Sequence, residues 1–348
     1  KYFDPGIPAA RAHIVDVVME VVRKYDVDGI HLDDYFYPYP ISGQSIPDHG
    51  TYVRHGKEFK DKNEWRRYNV DDFIATLSDS IYYEKPWVKF GVSPFGVWRN
   101  VAQDVRGSAT KRSLSAYDEL FADTRKWLMY GWVDYLAPQL YWGINGSSRA
   151  NFRVLLDWWS KIVPDRHIYI GHALYLMNGT HKPKWADATE FTRQAKMCRE
   201  ANGVLGNIWF RASSLLANPN GFSDMLAEGV YRYPALVPAM PWLDSIPPNH
   251  PDSLEVTALG EGVLLKWQRP QPALDNELPA YYVIYRFDEN EVYDMDDPRN
   301  IVAIRRQLSY IDDTVLPGKE YTYVITSVDR LHNESERFVY QAVTVLNR

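Results

Sequence analysis

Apolar residues recur along the chain with two alternating periods. Between Ala9 and Tyr25 they fall at Ile14, Val17, Val18, Val21 and Val22, the spacing of a helix face. From Val27 the period shortens to two. Ile30 and Leu32 fall on one side of a predicted strand, and His31, Asp33 and Tyr35 on the other. The same exchange of periods repeats down the chain. Helices are predicted over Asp71–Tyr83, Tyr117–Gly131, Asn151–Ile162 and Thr189–Ala201. Strands are predicted over Val88–Pro94, Val133–Trp142, His167–Leu174 and Gly206–Ala212. Five strands alternating with helices predict a parallel sheet, and aromatic or polar residues follow every strand. Reactive residue types gathered at one end of each strand are what a TIM-type barrel carries at its catalytic face. Closing a barrel takes about eight strands, so this reading gives a partial (β/α)8 barrel, about strands 4 to 8. The open edge of the first strand is expected to be covered, by a missing N-terminal segment or by self-association with another copy.

Pro40–Arg67 breaks any regular period and is expected to be a long loop, of the kind that forms lids or binding sites. Prolines crowd Pro234–Pro251, which predicts a semi-rigid connector whose Ala235–Pro238 part packs on the barrel. Beyond it only strands are predicted, over Leu254–Thr257, Val263–Trp267, Tyr281–Tyr285, Ile301–Arg305, Tyr321–Ser327 and Val339–Leu346. Strands at this spacing indicate an all-β sandwich of roughly 100 residues. The expected division is 1–246 for the barrel part and 247–348 for the sandwich.

Composition narrows the function classes. The 348 residues carry a net charge of −6 and no basic run, which argues against a nucleic-acid partner. No stretch is long and apolar enough to span a membrane as a helix. The single cysteine, Cys198, falls on a predicted helix, so no disulfide within the chain and no Cys/His metal spacing exist. No metal and no cofactor are expected. No glycine-rich phosphate loop follows any strand, which disfavours a nucleotide-binding sheet. Aromatic residues make up 14% of the chain, with 12 Trp and 25 Tyr. Aromatic faces at loop level suit sugar rings, although such residues also fill ordinary cores.

Three resemblances add to this reading. Trp267 and the run Leu316-Pro317-Gly318-Lys319-Glu320-Tyr321 resemble a fibronectin type III domain, with Tyr321 in the position of the tyrosine corner. The barrel part resembles the bacterial glycosyl-hydrolase-like family 10 proteins. The matching segments include Asp4-Pro5-Gly6, Val27 to Pro38, Trp65-Arg66-Arg67, Lys89 to Arg99, Pro138-Gln139, Tyr141-Trp142, Ile170 to Tyr175 and Met240-Pro241-Trp242. That resemblance implies a (β/α)8 barrel and a secreted or lipid-anchored protein of the cell envelope, hence an extracytoplasmic location. It implies action on a polysaccharide, with bacterial cell-wall glycan as one candidate. The Gly29-x-His31-x-Asp33 pattern is also similar to the Gly-x-Arg-x-Asp strand of the α-amylase superfamily. There the aspartate is the principal carboxylate. His31 replaces the arginine, and Ser93-Pro94-Phe95 stands where that superfamily carries its proton donor.

Glycoside hydrolysis normally uses two carboxyl groups, about 5 Å apart for retention and about 6.5–9.5 Å apart for inversion. Alternation points Asp33 into the barrel mouth. Asp34 is its neighbour on the chain and is also a candidate, or else a turn cap. Asp48 on the long loop is the preferred partner, with Glu64, Asp104 or an acid in the missing strands as alternatives. Substrate contacts are expected from His31, Tyr35, Tyr37, Trp98, Arg99, Gln139, Tyr141, Trp142, His172, Tyr175 and Trp209. His172 and the aromatics could equally be core. The competing function is a non-catalytic carbohydrate-binding or scaffold barrel, and the sandwich is read as a spacer.

Overall fold

The computed structural model describes residues 3–147, 149–162, 165–178, 185, 187–260, 262–289 and 291–345. The chain divides into two compact units, 1–230 and 231–348.

The first unit opens with α1 (Pro8–Lys24), which starts on a proline at its first turn. Then follow β1 (Gly29–Asp33), α2 (His49–His55), α3 (Lys62–Glu84) and β2 (Lys89–Ser93). Next come α4 (Ala116–Glu119), α5 (Thr124–Met129), β3 (Tyr135–Leu136), α6 (Phe152–Lys161) and β4 (His167–His172). The unit ends with α7 (Ala188–Glu200), β5 (Gly206–Trp209), α8 (Ala212–Leu216) and α9 (Phe222–Glu228). The five strands pair in parallel in the order β1-β2-β3-β4-β5. This is the expected partial barrel. β1 is its outer strand, and among the described residues only β2 pairs with it.

Alternation sorts the strand side chains into two layers. Phe90, Val92, Leu136, Ile168 and Ile170 join helix residues Ile74, Leu77, Trp127, Leu155 and Trp159 in one buried cluster. The residues between them, His31 and Asp33 of β1, Lys89, Gly91 and Ser93 of β2, Tyr135 of β3 and Tyr169 of β4, line the lumen side.

Several elements depart from the sequence reading. The long loop is partly helical: α2 lies inside it, and α3 begins at Lys62, nine residues before the predicted start. The Asp61 side chain accepts from the Asn63 N–H at 3.1 Å and caps α3. The helix predicted over 117–131 is broken in two. Phe121 sits at φ 57° between the pieces, and Asp123 caps the second. The third strand is only two residues long. Pro138 cannot donate to a ladder, so pairing continues only as isolated bridges from Gln139 to Phe95 and to Gly171. On α1, the buried residues are Val15, Met19 and Val22, whereas Val17 and Val21 are exposed. A cavity of about 310 Å³ adjoins α1, lined by Phe3, Ile14, Tyr35, Phe36, Val70 and Phe73 among others. Neither Asp33 nor Asp34 lines it.

The second unit is an antiparallel sandwich. β6 (Leu254–Leu259), β7 (Gly262–Trp267) and β10 (Ser309–Asp312) form one sheet, in the order β10-β7-β6. β8 (Tyr281–Asp288), β9 (Ile301–Arg305), β11 (Glu320–Val328) and β12 (Val339–Thr344) form the other, in the order β12-β11-β8-β9. β10 was not predicted. It is four residues long, lies between Leu308 and Asp313, and has a weak apolar pattern. Leu346, the predicted end of the last strand, lies outside the described residues. Trp267, Tyr282, Ile284, Tyr323 and Ile325 fill the inner core. The Leu316 N–H donates to the Tyr321 hydroxyl at 3.2 Å, which is the tyrosine corner. Ala235–Pro238 falls in the second compact unit. Leu236 packs against the outer apolar face of the larger sheet, beside Val283, Tyr285 and Phe287. The Met240 N–H donates to the Leu331 carbonyl, so the proline-rich stretch belongs to the sandwich unit.

Candidate active site

The site is built at the C-terminal ends of the parallel strands, beginning with β1. Asp33 is exposed on the lumen side. Its Oδ1 accepts from the Gln139 side-chain amide at 2.8 Å and from the Asp34 backbone N–H at 2.9 Å. Gln139 also donates to the Ser93 carbonyl at 3.0 Å, so one amide ties the ends of β1 and β2 to the segment after β3. The bridges that Gln139 makes after Pro138 hold that amide in place.

Asp34 lies on the opposite side of the chain and is 3% exposed. Its Oδ2 accepts from the Tyr39 hydroxyl, and its Oδ1 has no hydrogen-bond partner among the described residues. Burial pushes its pKa up to about 6. The Tyr39 hydrogen bond opposes that rise and the neighbouring Asp33 charge adds to it. The two adjacent carboxyl groups are therefore in unlike environments, one open to the lumen and one buried.

His31, one pleat below Asp33, is held at both ring nitrogens. Its Nδ1 lies 2.7 Å from the Tyr135 hydroxyl and its Nε2 lies 2.9 Å from Ser93 Oγ. Burial lowers its pKa, against the charge of Asp33. Tyr135 reaches His31 because Gly91 stands between them in the register. A Cβ on Gly91 would meet the Tyr135 ring at 2.1 Å.

An aromatic group stands at the ends of β3, β4 and β5. Tyr141 lies 6.1 Å from Tyr175 and 6.5 Å from Phe210, and Tyr175 lies 5.8 Å from Phe210, centroid to centroid. Phe210 is 46% exposed. Tyr35 is exposed and packs against Tyr39, which meets Phe95. The half-buried Trp142 sets its edge against the same Phe95. The charges of Asp33, Asp34 and Tyr35 all act on the Tyr141 phenol, whose pKa is pushed up first by burial.

Other predicted site residues lie elsewhere. His172 is fully buried on the helix side of β4 and bonds Gln194 at 2.9 Å and Asn207 at 2.7 Å. Burial lowers its pKa to about 4. Trp209 stacks on His172 at 4.3 Å and packs with Phe191 and Phe222, so it too belongs to the helix layer. Tyr37 is 1% exposed and accepts from the Asn69 amide at 3.3 Å. Trp98 is 2% exposed, donates to Asp123 at 2.9 Å and stacks on Trp158. Arg99 makes a bidentate pair with Asp118 at 2.8 and 3.0 Å and also reaches Asp104.

The preferred second carboxylate is committed to other partners. Asp48 is 2% exposed and takes Arg66 on both oxygens at 2.7 and 2.9 Å, with Lys62 at 2.5 Å. Burial alone would raise its pKa, but the two cations hold it below the usual range. Asp104 is gripped by the side chain and backbone N–H of Arg106 and is held well below that range. Glu64 is exposed in the first turn of α3. Asp48 thus anchors α2 to α3 and has no free oxygen for a sugar. Sequence reasoning missed Tyr39, Ser93, Tyr135 and Phe210. Alternation could have found Phe210, because His172 and Trp209 are opposed in register and share the helix side, which turns the next residue to the mouth.

No group of three or more His, Cys, Asp or Glu side chains among the described residues could hold a metal ion.

A parallel sheet of (β/α) units with carboxyl groups and aromatic rings at its strand ends has the architecture of barrel glycosidases. The chain belongs to the glycosyl hydrolase-like 10 family, whose model matches residues 1–187. It is similar to the glycosyl hydrolase YngK of Bacillus subtilis, at 44% identity over 96% of this chain and 66% of that one. It is also similar to the glycosyl hydrolase DigH of Escherichia coli K12, at 42% identity over 61% of this chain and 49% of that one. The chain thus spans about half to two thirds of the length of these relatives. Among solved structures, a fibronectin type III-like protein of Clostridium thermocellum covers 29% of the chain at 19% identity, with a TM-score of 0.21.

Proposed function

We propose that the protein is an O-glycosyl hydrolase acting on a polysaccharide, with bacterial cell-wall glycan as the first substrate to test. The observation that carries this reading is the pair Asp33 and Asp34. Asp33 presents its carboxyl group to the lumen, oriented by Gln139, and acts on the sugar. Asp34, buried beside it, keeps its proton up to about pH 6 and holds the β1 end in place through Tyr39. Tyr141, Tyr175 and Phe210 offer ring faces to the sugar, with Tyr35 on the other side of Asp33.

Hydrolysis needs a second carboxyl group across the glycosidic bond. Arg66 and Lys62 engage Asp48, and Arg106 engages Asp104, which disfavours both for that role. The five strands cover only part of a circuit of about eight, so the opposing wall is not formed by the described residues. The second carboxyl group would then come from outside the described residues. Such an enzyme would work outside the cytoplasm, where cell-wall glycan is met.

The test incubates the protein, in its longest available form, with bacterial cell-wall glycan and a panel of soluble polysaccharides. New reducing ends and glycan retention are measured in parallel. Release supports the hydrolase. Retention without release from any glycan would instead support a carbohydrate-binding barrel and overturn this reading.

A further inference from the structure

The lumen below the mouth holds a lysine that the proposed chemistry does not use. Lys89 stands at the start of β2 and is partly buried. Its Nζ lies 2.7 Å from His167 Nδ1 and donates to the Tyr169 hydroxyl at 2.9 Å. An ammonium group can only donate, so His167 Nδ1 is the acceptor. The same Nζ sits 5.3 Å from the centroid of the Tyr135 ring and 5.0 Å from that of Tyr169. Tyr135 in turn bonds His31 Nδ1, and His31 Nε2 meets Ser93 Oγ, one pleat below Asp33. A continuous column thus runs from Lys89 through Tyr135 and His31 to the mouth. Gly91 leaves the space that lets Tyr135 complete it.

We infer that Lys89 is a positioning residue: its ammonium group sets the direction in which the Tyr135–His31–Ser93 hydrogen bonds run. A cation against the ring draws electron density from the phenol and makes its O–H the better donor. Tyr135 then donates to His31 Nδ1. The neutral imidazole carries its proton on Nε2 and donates to Ser93 Oγ. Without the cation the phenol is a weaker donor, and the Nδ1–H tautomer gains population. Burial lowers the Lys89 pKa to about 8, partly offset by Asp134. The titratable and charged groups around it are Asp134 and Tyr135 of the β3 segment and His167 and Tyr169 of β4; on the β1 side the Asp28 carbonyl accepts from the Lys89 backbone N–H, and His31 is reached through Tyr135. Burial pushes both phenols up and lowers His31, so neither phenol nor imidazole changes charge near pH 8. The functional importance of the column rests on the glycosidase reading, but its geometry does not.

The experiment follows the ring nitrogens of 15N-histidine-labelled protein by NMR between pH 7 and 10. His31 is assigned with His31→Gln. Wild type should show a single Nε2–H tautomer at pH 7 that becomes a mixture, with a midpoint near pH 8. Lys89→Met should show the mixture throughout. Lys89→Arg should keep the single tautomer to pH 10, and Tyr135→Phe should abolish the dependence on pH. Where the protein releases reducing ends, kcat should fall on an alkaline limb near pH 8. That limb should be missing from Lys89→Met, whose kcat is reduced about tenfold at pH 7, and displaced upward in Lys89→Arg. A His31 signal that does not change across pH 8 in wild type, or that changes equally in a folded Lys89→Met, would overturn the inference. Absence of hydrolysis with the expected NMR behaviour would overturn the glycosidase reading alone.

Discussion

Two adjacent aspartates at the end of β1 have opposite surroundings, and this has a consequence for stability. The Asp34 carboxyl is pushed up to about 6 from its ordinary 3.8. Its folded state binds protons more tightly than its unfolded state, so its charge opposes folding. Stability linked to Asp34 is therefore fullest below about pH 4 and is lost as pH rises through 6. Asp34→Asn should raise stability at pH 7 by on the order of 2–3 kcal/mol and flatten that part of the pH dependence, as read by thermal unfolding at pH 4 and pH 7. A variant less stable at pH 7 would show that the Asp34 charge is favoured in the fold. His172 acts with the opposite sign. Its pKa is lowered to about 4 from 6.5, so its contribution is present above pH 6.5 and is lost as pH falls through 4. The two effects share one pH window, and only the Asp34 variant separates them.

At the level of elements, Gly91 decides how β2 meets β3. Gly91→Ala should drive Tyr135 off its seat, since the added methyl would lie 2.1 Å from the ring. The expected cost is about 1–3 kcal/mol, with loss of the Tyr135–His31 contact in the NMR spectrum. Wild-type stability and an unchanged contact would contradict this packing. In the sandwich, Tyr321→Phe removes the hydroxyl that accepts from Leu316 N–H and should cost about 1 kcal/mol, measured by urea unfolding of that unit. Periodicity made most of these elements legible in the sequence: all five parallel strands and six of the seven strands of the sandwich follow from it. It also placed Asp33 on the lumen side. It could not assign the partner of a buried side chain. Asp48 reads as a loop acid until Arg66 and Lys62 close on it. His172 and Trp209 lie near the ends of predicted strands, where the sequence leaves both the mouth and the core open to them. Pairing puts them opposite one another on the helix side. Strand ends mark where chemistry can stand, but only the register decides which residues face it.

Across the whole molecule, β1 is the outer strand of the five, with β2 as its one ladder partner among the described residues, and α1 exposes Val17 and Val21. Exposed strand edges invite pairing. The 348-residue chain studied alone should therefore self-associate with rising concentration, as measured by light scattering after size-exclusion chromatography. Val17→Lys with Val21→Lys should weaken that association. A monomer across the concentration range would show that the edge is protected by other means.

Asp33 is the group proposed to act on the glycosidic bond. The most direct test compares wild type and Asp33→Asn in the longest available form of the protein, on whichever glycan wild type cleaves, with binding measured alongside. Asp33→Asn should retain the glycan and release reducing ends about 10³-fold more slowly. Equal release by the two proteins would contradict it and move the chemistry away from the end of β1.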